Sequence, residues 1–543
     1  MTNEQTESII YFGGEILNYC IRAIAVSVCV ALVFSFSACG SKNKRKSTVS
    51  SSASVVSSAA STFNSSEQFS LPVTLSKSLN PLTTDSMTNL VLWPLMYDCL
   101  SEPDQNYTTS LGLATSIDNN GVTVLAHLRS NILFTDGSPL TAKDVVDSYH
   151  MVMKTQGSFF YSNTSNISSV EQSDSSTVIF HLFSPDPLFS NLLDIPIIKS
   201  GTDLNNNKYS ATGINVPPTG SGRYVFSTNS FSGTLTCNKN WYNAGATNFK
   251  TINLVNMLNG SATFSSLKIG GINCMFTDYG NGTLASAGLN TAPVYLNRMV
   301  FLGVNSQRPG LSNSKVRNAI SLAIDRKTIV SNSFSSRAAA TNIPFNPRWA
   351  GVAKPDNKQI SPDYTLAQSE LAGEGFSVKN YAGALSGNID GTAVTLSYKL
   401  LVDKDNTIGV TAAKEIIADL NKVGVIVSLD AEPSDVFDTK IAQNEFDLYL
   451  GQINISDNMD ITPLLSGGTA VNYTPQTQAT LNAFNSWRSG AVNISSVVKV
   501  FNDETPFIPV CYRYGSISFT KGLTGTIEPT YYDIFRGIYG WHY

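Results

Sequence analysis

The chain has 543 residues, more than one hydrophobic core usually organises, so at least two lobes are expected. Apolar residues make up 42% of the sequence, charged residues make up 14%, and the formal net charge is −4. Proteins that bind nucleic acid carry clustered Lys and Arg. The body of this chain has no strong basic run, so a nucleic-acid partner is excluded.

The first feature in chain order is an apolar run over residues 23–38, which ends in Ser37 and Ala38 immediately before Cys39. A short apolar run with small residues at its end is typical of a secretory signal. The last three residues are similar to a bacterial lipobox, in which the cysteine becomes the lipidated N-terminus. We therefore expect a signal peptide over 1–38, lipidation of Cys39 and an anchor on the outer face of the cell membrane. In a Gram-negative source the protein would be periplasmic.

An uncleaved membrane helix is the alternative interpretation of the same run. Lys42, Lys44, Arg45 and Lys46 follow it, and the positive-inside rule would place this side in the cytoplasm. Residues 47–66, however, consist almost entirely of Ser, Ala, Val and Thr. Such a stretch cannot form a core, so we interpret residues 39–67 as a lipidated cysteine followed by a flexible tether.

From Phe69 onward, short strands mix with amphipathic helices, which predicts an α/β protein. Residues 121–128 alternate like a half-buried strand. Helices are predicted over 141–153 with Thr141 as the cap, over 312–330, and over 408–423 with Gly424 as the end. No internal repeat is visible, which excludes a solenoid.

The sequence contains seven cysteines, and none has the spacing of a metal site or lies beside a histidine cluster. Cleavage before Cys39 would leave Cys99, Cys237, Cys274 and Cys511 in the folded part. These four either form up to two disulfides or are small buried apolar residues, and the sequence leaves both alternatives open. No metal and no other cofactor is expected.

Seven short motifs resemble those of the family 5 extracellular solute-binding proteins, the oligopeptide, dipeptide and nickel binders of ABC importers. They are LRSNILFTDGSPLTAKDV at 128–145, PTGSGRY at 218–224, LTCNKNWY at 235–242, VRNAISLAIDR at 316–326, AQSELAGEGF at 367–376, NEFDL at 444–448 and PFIPV at 506–510. Each motif is weak alone, whereas seven in the family's order are specific. The turn at Asp136, together with Arg317 and Asp325, is interpreted as scaffold.

The resemblance implies a two-lobe α/β fold of the Venus-flytrap type, which closes on its ligand. Lobe one would contain 68–305 and the returning segment 500–543, with an extra subdomain near 101–195. Lobe two would contain 306–499, and crossings near Val304 and Asn305 and near Phe501 would form the hinge. The protein would be a monomer that captures a small ligand, expected to be a peptide, and delivers it to the permease subunits of an ABC importer.

The resemblance also indicates which segments supply ligand-binding residues. An early loop and the helix after it, together with the last crossing strand, supply Thr84, Asp85, Tyr97, Tyr512 and Tyr514. Trp93 lies on the same helix as Tyr97, and both are either cleft residues or part of the core.

A third segment follows the NEFDL motif. Peptide binders of the family carry an aspartate there that pairs with the ligand's α-amino group. This chain lacks the tryptophan that accompanies it and offers Asp457 and Asp460, with Asn458 between them. A glycine-rich loop at 467–473 follows and is expected to be a flexible part of the cleft.

Two other classes of function remain. The chain has only four histidines and no GxSxG, HExxH, Walker A or GxGxxG motif, so an exported hydrolase is a remote alternative. A surface peptide or pheromone receptor, or an adhesin on the same scaffold, is the nearer alternative, because a fold does not determine a ligand. Neighbouring genes for a permease and an ATPase would favour import.

Overall fold

The computed structural model describes residues 68–202, 216–228, 232–245, 247–278, 289–352, 360–389, 391–466 and 478–543. The expected signal peptide, the expected lipidation site Cys39, the tether and the glycine-rich loop at 467–473 lie outside these ranges. Within them, no helix has the length and apolar character that a membrane crossing requires.

The strands of the described residues are short, apart from two. In chain order they are β1 (Phe69–Val73), β2 (Ser101–Pro103), β3 (Thr109–Leu111), β4 (Ala114–Asn119), β5 (Thr123–Leu128), β6 (Ile167–Asp174), β7 (Thr177–Leu182), β8 (Tyr224–Thr228), β9 (Gly233–Cys237), β10 (Thr251–Asn256), β11 (Cys274–Thr277), β12 (Asn290–Val304), β13 (Ala338–Ala340), β14 (Val378–Lys379), β15 (Leu385–Ile389), β16 (Thr392–Thr395), β17 (Ser397–Asp403), β18 (Ile426–Glu432), β19 (Leu448–Asn454) and β20 (Ile508–Phe519).

The α-helices lie mainly in the second half of the chain. They are α1 (Met87–Leu90), α2 (Trp93–Met96), α3 (Ala142–Lys154), α4 (Gly260–Lys268), α5 (Ser314–Ala323), α6 (Arg326–Asn332), α7 (Tyr364–Gly373), α8 (Thr407–Lys422), α9 (Ser434–Ala442), α10 (Thr462–Leu465), α11 (Gln478–Arg488) and α12 (Ile494–Glu504). Short 3₁₀ helices lie at Tyr161–Thr164, Phe189–Leu192 and Ile538–Gly540.

Two four-stranded sheets belong to the first half of the chain. One has the order β1-β10-β9-β8, and the other has the order β4-β5-β7-β6. The β2–β3 hairpin stands apart from both, and β14, β15 and β16 form a small sheet later in the chain. The predicted strand at 121–128 is therefore confirmed as β5, a central strand of its sheet.

The largest sheet has the order β11-β20-β12-β19-β17-β18, with β13 also paired to β20. Its long strands β12 and β20 run antiparallel, from the pair Asn290–Phe519 at one end to Leu302–Ile508 at the other. β11 pairs with β20 at the first end, and β19 pairs with β12 at the second. The two long strands therefore run between two halves of the sheet. Phe501, where the sequence places a crossing, lies in α12, before β20 begins.

Three large apolar cores and one small cluster of Met257, Leu267 and Ile272 lie in the described part of the chain. The first takes its buried residues from 69–296 and 517–541. The second takes them from 300–511. The third is rich in aromatic side chains, such as Phe301, Phe345 and Tyr512, and it includes Tyr107 from the β2–β3 hairpin. Tyr107 therefore links the early hairpin to residues that follow much later in the chain.

The motif at 128–145 forms a turn and a capped helix, as predicted. Gly137 has a φ of +85°, a conformation that favours glycine. The side chain of Asp144 accepts a hydrogen bond from the N–H of Thr141 at 2.8 Å, which completes a capping box at the start of α3. The side chains of Val145 and Tyr149 are buried on the inner face of this helix.

The prediction of a single helix over 312–330 is wrong. The chain forms α5 and α6, because Ile324 has extended backbone angles (φ −81°, ψ 120°). Asp325 then caps α6 and accepts a hydrogen bond from the N–H of Thr328 at 3.1 Å. The buried guanidinium of Arg326 donates to the carbonyl of Pro509 at 2.9 Å, a contact with β20 that the helical period cannot reveal.

Arg317 has a comparable structural role in α5. Its Nε donates to the carbonyl of Thr505 at 2.9 Å, and its Nη1 donates to the carbonyl of Leu311 at 2.9 Å. The side chain thereby ties α5 to the segment between α12 and β20. The interpretation of Arg317 and Asp325 as scaffold residues agrees with these contacts.

Candidate functional site

The Asp457 loop, defined as residues 455–461 between β19 and α10, is held against β12. The N–H of Ile455 donates to the carbonyl of Asn297 at 2.7 Å, and Nδ2 of Asn297 donates to the carbonyl of Ser456 at 3.1 Å. The N–H of Met459 closes a tight turn by donating to the same Ser456 carbonyl at 2.8 Å. Asp457 therefore lies in the middle of a tight turn that hydrogen bonds hold against β12.

The Asp457 loop also contacts residues from the first half of the chain. Nδ2 of Asn191 donates to the backbone carbonyls of Asp457 at 3.2 Å and of Tyr107 at 3.0 Å. Nδ2 of Asn458 donates to Oδ2 of Asp186 at 2.7 Å. The loop thus lies where the β2–β3 hairpin and the segment after β7 meet the large sheet.

The carboxylate of Asp457 is buried, with 3% of the residue exposed. Its Oδ2 has no hydrogen-bond partner, and no Lys or Arg of the described ranges forms an ion pair with it. Burial raises the pKa of Asp457 to about 7, although hydrogen bonding to Tyr532 and Asn297 acts to lower it. Asp457 is therefore an acid in a dry environment without a protein cation.

Asp460, the other candidate in this loop, is already paired. Its Oδ2 lies 3.5 Å from Nη1 of Arg488, and its Oδ1 accepts a hydrogen bond from the N–H of Thr462 at 2.9 Å. The sequence left these two aspartates as alternatives. Their surroundings differ, because Asp460 is paired with Arg488, whereas no Lys or Arg of the described part pairs with Asp457.

Two acids from the first half of the chain, whose pKa values are raised by burial, were missed by sequence reasoning. Asp194 is fully buried, and burial followed by the charge of Asp457 raises its pKa. Burial raises the pKa of Glu102 in β2 to about 7. Asp194 interrupts an apolar run between Leu193 and Ile195, and a carboxylate in such a run is the signal that could have revealed it.

Residues 108–474 match the family described as "Bacterial extracellular solute-binding proteins, family 5 Middle". The chain belongs to this family.

One relative of this family 5 protein is the oligopeptide-binding protein AppA of Bacillus subtilis (strain 168). It is 25% identical over 366 residues, which cover 64% of this chain and 65% of AppA. The match therefore spans just under two thirds of the relative.

Three solved structures of similar fold each align with 88% of this chain. NikZ of Campylobacter jejuni in complex with Ni(L-His) has a TM-score of 0.58 at 21% identity and is covered to 99%. AppA of Bacillus subtilis in complex with a nonapeptide has a TM-score of 0.54 at 21% identity and is covered to 97%. The unliganded open form of the periplasmic murein tripeptide binding protein MppA has a TM-score of 0.68 at 16% identity and is covered to 97%. The expected two-lobe α/β fold is thereby confirmed.

The early candidates of this family 5 chain are held by contacts within the first half. Tyr97 is buried and its hydroxyl donates to the carbonyl of Pro218 at 2.9 Å. A Cβ on Gly220 would lie 2.6 Å from the Tyr97 ring, so the PTGSGRY turn packs directly on this side chain. Trp93 packs edge-on against Phe160 in the first core.

Thr84 and Asp85 lie in the loop before α1. Thr84 is buried, and its Oγ1 accepts a hydrogen bond from the N–H of Ser86 at 3.2 Å. Asp85 is exposed and its carboxylate lies 2.7 Å from Nζ of Lys77. In the described ranges, no hydrogen bond or ion pair joins either residue to the Asp457 loop. A role for Thr84, Asp85 and Tyr97 in ligand binding stays a prediction.

The two candidate tyrosines of β20 lie near Tyr107. The hydroxyl of Tyr512 donates to the carbonyl of Pro344 at 2.8 Å, and its ring is fully buried in the third core. Tyr514 packs edge-on against Tyr295 with 4.8 Å between the ring centres. Charges on Asp457, Tyr512 and Tyr514 all act to raise the pKa of Tyr107, after burial. The structure thus places Tyr512 in the same apolar core as Tyr107, a residue that sequence reasoning missed.

The cysteines of the described part do not form disulfides. Cys99, Cys237, Cys274 and Cys511 are free thiols, and all except Cys237 are buried. The sequence left disulfides and unpaired cysteines open as alternatives, and the structure shows these four cysteines unpaired. No group of three or more His, Cys, Asp or Glu in the described ranges is arranged to hold a metal ion.

Proposed function

We propose that this family 5 protein captures a small ligand with a free ammonium group, expected to be a peptide, and delivers it to the permease subunits of an ABC importer. The observation that carries the proposal is the buried Asp457 carboxylate, which has an unpartnered oxygen and no cationic partner among the described residues. The oligopeptide-binding relative AppA and the murein tripeptide binder MppA support a peptide as the ligand class.

The physical argument concerns the cost of a buried charge. A carboxylate without a cationic partner is strongly destabilised in a dry environment, so it either keeps a proton or pairs with a cation. Arg488 is the cationic partner of Asp460, whereas no Lys or Arg among the described residues pairs with Asp457. An ammonium group of the ligand would neutralise Asp457 as water leaves the site.

Closure around the ligand would use the long strands β12 and β20. Lobe one would comprise 68–305 and 500–543 with its subdomain near 101–195, and lobe two would comprise 306–499. Ligand favours the closed state because it binds that state better. Small-angle scattering should show a smaller radius of gyration when ligand is added, and unchanged dimensions at saturation would contradict the closure mechanism.

The decisive test compares two neighbouring variants. The ligand is first identified by mass spectrometry of material that copurifies with the protein. Asp457→Asn should then weaken its binding, measured by calorimetry, because loss of one partner of a buried charge pair costs about 2–5 kcal/mol. This corresponds to roughly 30-fold to several thousand-fold in affinity. Asp460→Asn should retain more affinity, and a change below about threefold in both variants would refute the ammonium clamp.

We further propose that the mature protein begins at a lipid-modified Cys39 and is held on the outer face of the membrane by the tether. The proposal is supported by the sequence alone, since small residues precede Cys39 and a Ser-rich stretch follows it. Cys39→Ala should release the protein from membranes or leave the precursor uncleaved. A variant that stays in the membrane at its unprocessed mass would favour the uncleaved helix.

A further inference from the structure

Two buried carboxylates lie on distant parts of the chain that contact each other at the Asp457 loop. Asp194 and Asp457 are 0% and 3% exposed, and the Oδ2 atom of each has no hydrogen-bond partner. The amide of Asn191, on the 3₁₀ helix just before Asp194, donates to the backbone carbonyl of Asp457 at 3.2 Å. The charges of both acids act, after burial, to raise the pKa of the Tyr532 hydroxyl. Asn191 thus joins the segment that carries Asp194 to the Asp457 loop.

A second buried polar group of the described residues also lacks a hydrogen-bond partner. The hydroxyl of Tyr149 on α3 is buried and forms no hydrogen bond, and the charge of Asp194 acts to raise its pKa. Oδ1 of Asp194 accepts a hydrogen bond from Nδ2 of Asn163 at 2.6 Å, so the carboxylate is fixed on one side only. Oδ2 of Asp194 and the Tyr149 hydroxyl thus have no hydrogen-bond partner among the described residues.

Other buried acids in the described ranges are satisfied by the protein. Asp98 accepts hydrogen bonds from the indole of Trp241 and the hydroxyl of Ser221, one at each oxygen. The buried carboxylate of Asp533 is paired with Arg223, and that of Asp419 is paired with Lys422. Against this background Asp194 and Asp457 share two features: neither forms an ion pair with the described Lys and Arg residues, and each has an oxygen without a partner.

We propose that Asp194 is a second ligand-binding carboxylate and that the protein selects peptides whose first residue is Lys or Arg. The proposal rests on the function proposed above, in which Asp457 pairs with the α-ammonium group. One ammonium would leave one of two buried carboxylates without a counter-charge, which is unfavourable. A basic side chain on the same first residue supplies the second cation, and its long flexible stem lets it reach a separate acid.

The test uses a randomised pentapeptide library with free amino termini, passed over the immobilised full-length protein. Mass spectrometry of the retained peptides should show enrichment of Lys and Arg at the first position, about tenfold over Ala. Asp194→Asn should reduce this preference below about threefold while peptides that begin with Ala are retained as before. Asp457→Asn should lose all peptides, as should wild type with an N-acetylated library. Asp503→Asn, an exposed change in α12, serves as the matched control.

The outcomes separate the two proposals. Retention of free-amino peptides without preference for Lys or Arg would overturn the role of Asp194 and leave the proposed function intact. A preference that survives Asp194→Asn would also overturn it. Retention of no peptide by wild type would overturn the proposed function together with the specificity. If Asp194→Asn does not fold, which thermal unfolding would show, the first-position preference of wild type decides the question alone.

Discussion

Arg488 and Asp186 face each other although they come from opposite halves of the chain. Nη2 of Arg488 lies 3.7 Å from Oδ2 of Asp186, and the two side chains are 11% and 1% exposed. Nε of Arg488 also donates to the carbonyl of Pro185 at 3.0 Å. Burial raises the pKa of Asp186, while Asn458 and Arg488 act to lower it. Arg488, the last residue of α11, thus provides a positive charge beside Asp186, a buried acid in the segment after β7.

Arg488→Gln should destabilise the protein, because it removes the cation that faces the buried Asp186 and Asp460. Loss of one partner of a buried pair costs about 3–5 kcal/mol, and the long 3.7 Å contact places the expected loss at the lower end. Urea denaturation measures the change. Lys499→Gln is the control, since the exposed Lys499–Asp503 pair contributes less than about 1 kcal/mol. Equal effects of the two substitutions would contradict a structural role for Arg488.

The unliganded protein should lose stability as the pH rises from about 4 to about 7. Folding raises the pKa of Asp457 to about 7 and also raises that of Glu102 to about 7, so the folded state binds more protons than the unfolded state. The contribution of each acid is therefore favourable at low pH and disappears as the pH passes through the folded pKa. Each unit by which folding raises a pKa corresponds to about 1.4 kcal/mol in the free energy of unfolding. The expected loss of stability over this pH range is therefore on the order of 3 kcal/mol per acid.

Asp457→Asn should reduce this pH dependence and make the unliganded protein more stable than wild type at pH 8. Thermal unfolding at pH 5 and pH 8 provides the comparison. Asp503→Asn should leave the dependence unchanged, because its side chain is 62% exposed. An identical pH dependence in wild type and Asp457→Asn would show that this carboxyl titrates normally in the folded state.

Gly303→Ala should disturb the pairing of β12 with β19. Gly303 lies opposite Tyr449, and a Cβ at this position would lie 1.8 Å from the Tyr449 ring. Overpacking of this kind costs about 1–3 kcal/mol in the free energy of unfolding. Gly373→Ala at the end of α7 has open space around its Cβ and should not be destabilising. The pair is compared by urea denaturation, and no loss for Gly303→Ala would mean that the Tyr449 ring moves freely.

Native alkylation should label Cys237 before the other described cysteines. Cys99, Cys274 and Cys511 are buried, and burial raises the pKa of the Cys511 thiol to about 12, which suppresses the reactive thiolate. Peptide mapping after brief iodoacetamide treatment identifies the modified residue. A reducing agent should leave the melting temperature unchanged, whereas a clear decrease would reveal a disulfide that stabilises the fold.

The sequence by itself determined the family, the two-lobe α/β class and the local structure of several motifs. The Thr141 cap and the Asp136–Gly137 turn were predictable because each depends on a few neighbouring residues. The sequence also directed attention to the Asp457 loop, since it follows the NEFDL motif after the single strand β19. Helical periodicity alone failed at Ile324, where contacts with β20 favour a break.

Only the tertiary structure decided which acid of the loop has a counter-charge. Asp457 and Asp460 are equivalent on local grounds, and their difference arises from Arg488, which another helix supplies. The link between the Asp194 segment and the Asp457 loop likewise depends on Asn191, whose amide contacts the carbonyl of Asp457, 266 residues away in the chain. Burial and charge pairing are properties of segments brought together by folding, so no local pattern of residues specifies them.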